Sequence, residues 1–140
     1  MSEFRYKRLT EVKEKVLEHK QRELERALTA VNEVANRIEH IRKEIDDNFN
    51  DMMARCLTGK EFSVVTGYLS YLDGRKVDLL QEKTKRENRV DGLRAELLAL
   101  TIELKMLEKL KMKDLAALKK AHNKKDQKAM DDLALRNERT

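Results

Sequence analysis

The chain has 140 residues, of which 41% are charged, 40% hydrophobic and 4% aromatic, with four Gly, no Pro and no Trp. So much charge with so few rings excludes a multilayer globular core, and the regular recurrence of apolar residues excludes a disordered polyelectrolyte; long helices with a narrow apolar seam satisfy both. The net charge of +5 and the pI near 9.3 favour acidic partners without choosing among nucleic acid, a membrane surface and a protein face.

The first ten residues carry Glu3, Arg5, Lys7 and Arg8 and no apolar leader, and no uncharged run is long enough to cross a bilayer. A single cysteine, Cys56, excludes an internal disulfide and fits a reducing compartment, so a soluble cytoplasmic protein is expected. From Leu24 the residues Ala27, Val31, Val34, Ile38, Ile41 and Ile45 follow alternating steps of three and four, the seam of a coiled coil. Upstream, Leu9, Val12, Val16 and Leu17 read as the same stripe with a drift in register near Lys20. Downstream, Phe49, Met52 and Cys56 read as a stutter. Cys56 on that stripe is expected to pack as a small hydrophobe, with a redox switch as the alternative.

"TGKE" then reads as a corner: Thr58 caps a second helix, Glu61 reaches back to it, and Gly59 supplies loose backbone for the reversal. So short a link makes the two helices antiparallel. The expected fold is all-α, two long helices in an antiparallel coiled-coil hairpin with its turn near Thr58 to Lys60. The whole of residues 1–140 is expected to form this single hairpin, with helix 1 over about 4–56 and helix 2 over about 60–118. A basic extension, without a partner and expected to fray, then runs to 140. Folding back there brings Ile45 near Leu72, Leu24 near Leu93 and Leu17 near Leu100. A continuous rod that dimerises is the alternative.

The second half keeps a heptad count through Phe62, Val65, Leu69, Leu72, Leu79, Val90, Leu93, Leu97, Leu100, Leu104 and Leu107. Lys76, Lys83 and Arg86 occupy seam positions in its middle, so about three turns there are expected to be held by neighbouring apolar residues such as Val77 and Leu80, or by the partner helix. Leu98, Ile102, Met106 and Leu110 broaden the stripe, so this end is expected to pack best.

The sequence offers little for catalysis. A phosphate cradle would need Gly at Ala54 and Ser or Thr at Glu61. His19, His40 and His122 are scattered, and the nearest approach to a ligand pair is His40 with Glu44, one turn apart. The carboxylate pairs Asp46 with Asp47 and Asp131 with Asp132 sit among lysines with no pocket to desolvate them. No catalytic, cofactor-binding or metal-binding residue is therefore assigned, and a non-enzyme is expected.

Two stretches suit binding. Between Lys105 and Lys128 stand nine lysines against Glu108, Asp114 and Asp126, an excess greater than the net charge of the whole chain. This run suits nucleic acid phosphates, an acidic protein surface or plain solvation. Early in the second half, Gly67 and Gly74 stand seven apart and off the seam, beside Tyr68 and Tyr71. Each glycine lowers helix stability by about 1 kcal/mol relative to Ala. Exposed tyrosines flanked by bare backbone make a docking patch, against the alternative that the rings simply lie along the coil.

Three segments, "FRYKRLTEVKEKVLEHKQRELERAL", "GYLSYLDGRKVDLL" and "KKDQKAMDDLALR", in this order and at this chain length, resemble the FliJ family of flagellar type III export proteins over essentially the whole length. The stalk proteins of virulence secretion systems, the YscO group, share the architecture and are the nearest alternative; a basic coiled coil that binds nucleic acid is the alternative from another class. The resemblance implies a non-catalytic, monomeric stalk or adaptor at the cytoplasmic side of the inner membrane. Its termini would enter the hexameric ring of a FliI-like export ATPase, its other end would address the FlhA-like export gate, and export chaperones would bind it. Carried onto this chain, the ATPase-facing stretch is Leu104 to Leu133 with the turns near Phe4 to Val16, and its contact residues are Lys113, Lys120, Lys124, Gln127, Lys128, Met130 and Asp131. The gate-facing row falls on Tyr68, Leu72, Arg75 and Leu79, with Arg75 and Leu79 departing from the small and polar residues of the family pattern, and Tyr71 of the docking patch joins it as an expected gate contact.

Overall fold

A computed structural model describes residues 5–139 of the chain. It contains two helices, α1 (Lys7–Ala54) and α2 (Gly59–Arg139), joined by residues 55–58 and packed against each other as an antiparallel hairpin. Phe4, the expected start of the first helix, lies outside the described residues. No helix among them is long and apolar enough to cross a membrane.

The corner forms through the residues read for it. The Glu61 N–H donates to Thr58 Oγ1 at 3.2 Å and the Thr58 N–H donates to Glu61 Oε2 at 3.3 Å, a reciprocal capping box. The Phe62 N–H donates to the Thr58 carbonyl at 3.0 Å, closing the first turn. Gly59 plays a different part from the one expected. It is the first residue of α2, and no glycine has a positive φ, so the reversal uses the irregular backbone of residues 55–58 and not a left-handed glycine. Cys56 lies in that link and is exposed, which removes it from any packed stripe.

The chain packs as two units. Residues 19–97 hold most of the core: Val34, Ile38 and Ile41 of α1 close on Leu72 and Leu79 of α2, and Ile45 packs against this cluster. Val90 and Leu93 are also buried, Leu93 to 1% exposure. Across the helices, Lys20 Nζ meets Glu96 Oε2 at 2.9 Å and Arg89 meets Glu23 at 3.2 Å. The other unit combines the first turns of α1, up to Glu18, with α2 from Leu98 onward. Its one buried hydrophobic residue among those described is Leu107, and Lys13 Nζ donates to Glu103 Oε2 at 2.5 Å.

The seam departs from its expected course in a consistent way. From Tyr6 and on through α1 a row of half-buried and buried positions, Thr10, Lys13, Leu17, Lys20, Leu24, Ala27, Val31, Val34, Ile38, Ile41, Ile45, Asn48 and Met52, runs in steps of four and three without interruption, with Glu23, Ala30, Ala35 and Glu44 half-buried on its flanks. There is no drift and no stutter. Leu9, Val12, Val16 and Phe49, expected inside, are exposed, and polar residues take the seam beside them. Such residues fit because their polar atoms find partners: Thr10 Oγ1 donates to the Tyr6 carbonyl, Asn48 Nδ2 to the Glu44 carbonyl, and the two lysines to carboxylates of α2.

On α2 the heptad count holds from Val65 to Leu107, but Phe62 is exposed. Lys76, Lys83 and Arg86 are half-buried on the seam, their aliphatic stems covering it, whereas Val77 and Leu80 are exposed. Leu98, at 63% exposure, and Ile102, Met106 and Leu110 are exposed as well. The stripe is therefore not broadened. That end is the more thinly packed one, because two helices bury only the a and d positions and leave the outer ones to solvent.

α2 stays helical through Arg139, well past the expected boundary near 118. No proline or glycine interrupts it after Gly92, and Ala, Leu, Lys and Met, strong helix formers, dominate the run.

Candidate docking surfaces

The first surface belongs to the unit of residues 19–97. Tyr68 and Tyr71 stand one turn apart on α2 with their rings stacked, centroids 6.3 Å apart and planes at 24°. The Tyr68 hydroxyl donates to Glu44 Oε1 of α1 at 2.6 Å. That bond, with some burial and the glutamate's charge, raises the phenol's pKa above its ordinary value. Tyr68 is thus fixed in orientation by the other helix, while Tyr71, at 64% exposure, offers its ring to solvent.

Gly67 and Gly74 flank the pair. Neither has a positive φ, and a Cβ built on either would meet nothing within 4 Å. The hairpin itself therefore gives no reason for glycine at these positions. Of the row expected to bind the gate, Tyr68, Tyr71 and Arg75 face solvent, whereas Leu72 and Leu79 are 4% and 2% exposed and sit in the core. Their d positions in the heptad put them against α1, so neither stands out as a contact residue of its own, and Leu79 reaches the surface only as part of a pocket floor.

Beside Arg75 a shallow pocket of 320 Å³ opens between the helices, lined by Asn36, Arg37, His40, Ile41, Arg75 and Leu79. Sequence reading missed it because its lining comes from two helices and acquires meaning only once their register is known.

The second surface belongs to the other unit. Every described side chain from Glu108 to Glu138 is exposed, so α2 presents about eight turns with no partner helix. At 100° per residue, Lys113, Lys120, Lys124, Gln127, Lys128 and Asp131 share an arc of about 100°. Met130 points away from it, roughly a quarter-turn aside. Gln127 Nε2 donates to Asp131 Oδ1 at 3.2 Å along this face, and His122 meets Asp126 at 3.3 Å. The four lysines of the arc make no ion pair with any described residue. The face is thus a ladder of free ammonium groups.

A cleft of 830 Å³ lies in the same unit, between the first turns of α1 and α2. Its apolar floor is Leu17, Leu104 and Leu107, and its rim mixes Lys7, Glu11 and Glu14 with Lys105, Glu108 and Lys111. Nothing in this rim converges as an acid, base and nucleophile would. Among the described residues no cluster of His, Cys, Asp or Glu could hold a metal.

No curated protein and no solved structure matches the chain. The model of the flagellar FliJ protein family matches residues 1–139. With a match over nearly the whole chain, and the two-helix hairpin that the family pattern implies, the protein belongs to the FliJ family, whose general role is that of a non-catalytic stalk or adaptor in flagellar export.

Proposed function

We propose that the chain works as a monomeric stalk between a FliI-like export ATPase and an FlhA-like gate, at the cytoplasmic side of the inner membrane, with export chaperones as further partners. The observation that carries this reading is the lysine face on α2 after Glu108, exposed and without an ion pair among the described residues. A helix with free ammonium groups and no partner of its own is suited to an acidic lumen, where the released hydration of each charge is repaid by a carboxylate. Lys113, Lys120, Lys124, Lys128 and Gln127 would make these contacts, Asp131 would hold Gln127, and Met130 would contact an apolar wall at the flank. Tyr68, Tyr71 and Arg75 would form the gate-facing patch, with Leu72 and Leu79 bracing it from beneath. A stalk of this kind would couple its partners by letting occupancy at one surface bias the other.

The test mixes the purified protein with the export ATPase from the same genome and follows turnover and hexamer formation. Stimulation of either, lost in the triple variant Lys113→Glu, Lys120→Glu and Lys124→Glu, supports the reading. No change in either quantity refutes it. The same lysine ladder gives the nucleic-acid reading its one observation. A salt-dependent affinity for duplex DNA tighter than that for the ATPase, at physiological salt, would favour it.

A further inference from the structure

The pocket beside Arg75 combines features that its neighbours lack. Arg37 and His40 come from α1 and Arg75 from α2, all exposed at the rim, while Ile41 and Leu79 form a buried floor. Four other arginines of this unit have carboxylate partners, Arg42 with Glu39, Arg55 with Asp51, Arg86 with Glu82 and Arg89 with Glu23, whereas Arg22, Arg26 and Arg94 have none among the described residues; what sets Arg37 and Arg75 apart is that they face one pocket from two helices. Arg37 and Arg75 make no ion pair or hydrogen bond with any described residue. Glu82 is within their electrostatic reach but already taken. Arg86 bonds it through Nε at 3.2 Å and through a terminal nitrogen at 2.8 Å. That bond holds the Glu82 carboxyl below the ordinary range, and Arg37 and Arg75 add to the effect through space. Two guanidinium groups therefore stand over an apolar floor with no anion of their own.

From this juxtaposition we propose that Arg37, His40 and Arg75 form a recognition pocket for an acidic side chain of a partner protein, seated with an adjacent apolar side chain on Ile41 and Leu79. Guanidinium groups bind carboxylates through paired N–H donors in a fixed fork, and Asn36 adds a neutral donor at the edge. The volume of 320 Å³ exceeds what a carboxylate alone fills, and a mostly apolar lining suits the leucine or methionine that lies one helical turn from a glutamate. A free phosphate would leave that floor uncovered. The pocket gives Arg75, which with Leu79 departs from the family pattern, a defined chemical task. The inference deepens the docking reading at Arg75 and rests on it only for that residue's place in the patch.

The experiment uses the full chain, isotopically labelled, titrated by NMR with a capped helical peptide carrying one glutamate and a leucine one turn away. Parallel titrations use the same peptide with glutamine for glutamate, and inorganic phosphate. Saturable shifts at residues 36–41 and 75–79 are expected with the glutamate peptide. The Arg37→Ala, Arg75→Ala double variant is expected to bind it at least about tenfold more weakly, the weight of a single charge-assisted hydrogen bond. The Arg37→Lys, Arg75→Lys variant is expected to recover part of that loss. Both arginines are exposed, so helicity should be unchanged, and circular dichroism checks it. Equal binding of the glutamate and glutamine peptides, an unaffected double variant, phosphate binding without peptide binding, or no binding at all would each overturn the proposal. No export protein enters this titration, so its failure leaves the ATPase and gate readings standing, and their failure leaves this one.

Discussion

Replacing Gly67 and Gly74 by alanine separates folding from docking. Both lie inside α2 with helical backbone, and the added methyl group meets nothing within 4 Å. Alanine therefore introduces no clash and no strain, and the gain is the difference in helix propensity, about 1 kcal/mol at each position. The two glycines are seven residues apart and share no contact, so their effects should add to about 2 kcal/mol. Gly92 provides the control: it is equally open and lies inside the same helix, away from the tyrosine pair. Urea unfolding followed by far-UV circular dichroism should show a rise in stability of about 1 kcal/mol for Gly67→Ala, Gly74→Ala and Gly92→Ala alike. If a partner backbone approaches the helix at the tyrosine patch, the first two should weaken binding of the gate protein while Gly92→Ala leaves it unchanged. Destabilisation by Gly67→Ala or Gly74→Ala would refute the packing argument, and gate binding unaltered by both would refute the docking role.

Leu93→Ala should destabilise the hairpin by about 3 kcal/mol, since the side chain is 1% exposed and two helices cannot collapse around the cavity; a loss under 1 kcal/mol in urea unfolding would contradict this. Thr58→Ala should cost about 1 kcal/mol by opening the capping box, with Thr58→Ser retaining most of it. The bond between Lys20 and Glu96 lowers the Glu96 pKa and raises that of Lys20. The glutamate's share of stability is therefore present above its ordinary 4.5 and lost as the pH falls through the lowered value, while the lysine's share is present below 10.5 and lost as the pH rises through the raised one. Glu96→Gln should flatten both limbs of the urea midpoint against pH, and unchanged limbs would rule the pair out as their source. Hydrogen exchange should be faster at residues 7–18 and 98–139 than at 34–41, because Leu107 is the only buried residue among those described in the former unit; equal protection would show that polar seam contacts stabilise as well as apolar ones.

The fold was legible because the signals that define it are local or periodic. Thr58 and Glu61 form the capping box their spacing promised, and the row from Val65 to Leu107 keeps its heptad through Lys76, Lys83 and Arg86. The errors on α1 share one cause. Reading the seam as the run of apolar residues led to Leu9, Val12, Val16 and Phe49, and a drift and a stutter were needed to connect them. Holding the period fixed and admitting Thr10, Lys13, Lys20 and Asn48 gives one unbroken heptad. In a chain with 41% charged residues, geometry outranks hydropathy, because an amphipathic stem can cover a seam while its head reaches a carboxylate of the facing helix. The same rule accounts for Leu98, Ile102 and Met106, apolar residues at outer positions that no second helix can reach.

The surfaces were legible in proportion to how much of each lies on one helix. The lysine face of α2 can be drawn from residue spacing alone, as can the stacked pair Tyr68 and Tyr71. Which members of the gate-facing row are free to bind could not be. Leu72 and Leu79 share a helix face with Arg75 and differ from it by a fraction of a turn, yet α1 covers the leucines and leaves the arginine in solvent. The bond from Tyr68 to Glu44 and the meeting of Arg75 with Arg37 and His40 depend on the register between helices, which each helix contributes to and neither encodes alone. The chemistry proposed for the patch around Tyr68 and Arg75 therefore lies in the narrow flanks of the seam. Residues there are close enough to the other helix to be oriented by it, and exposed enough for a partner to reach.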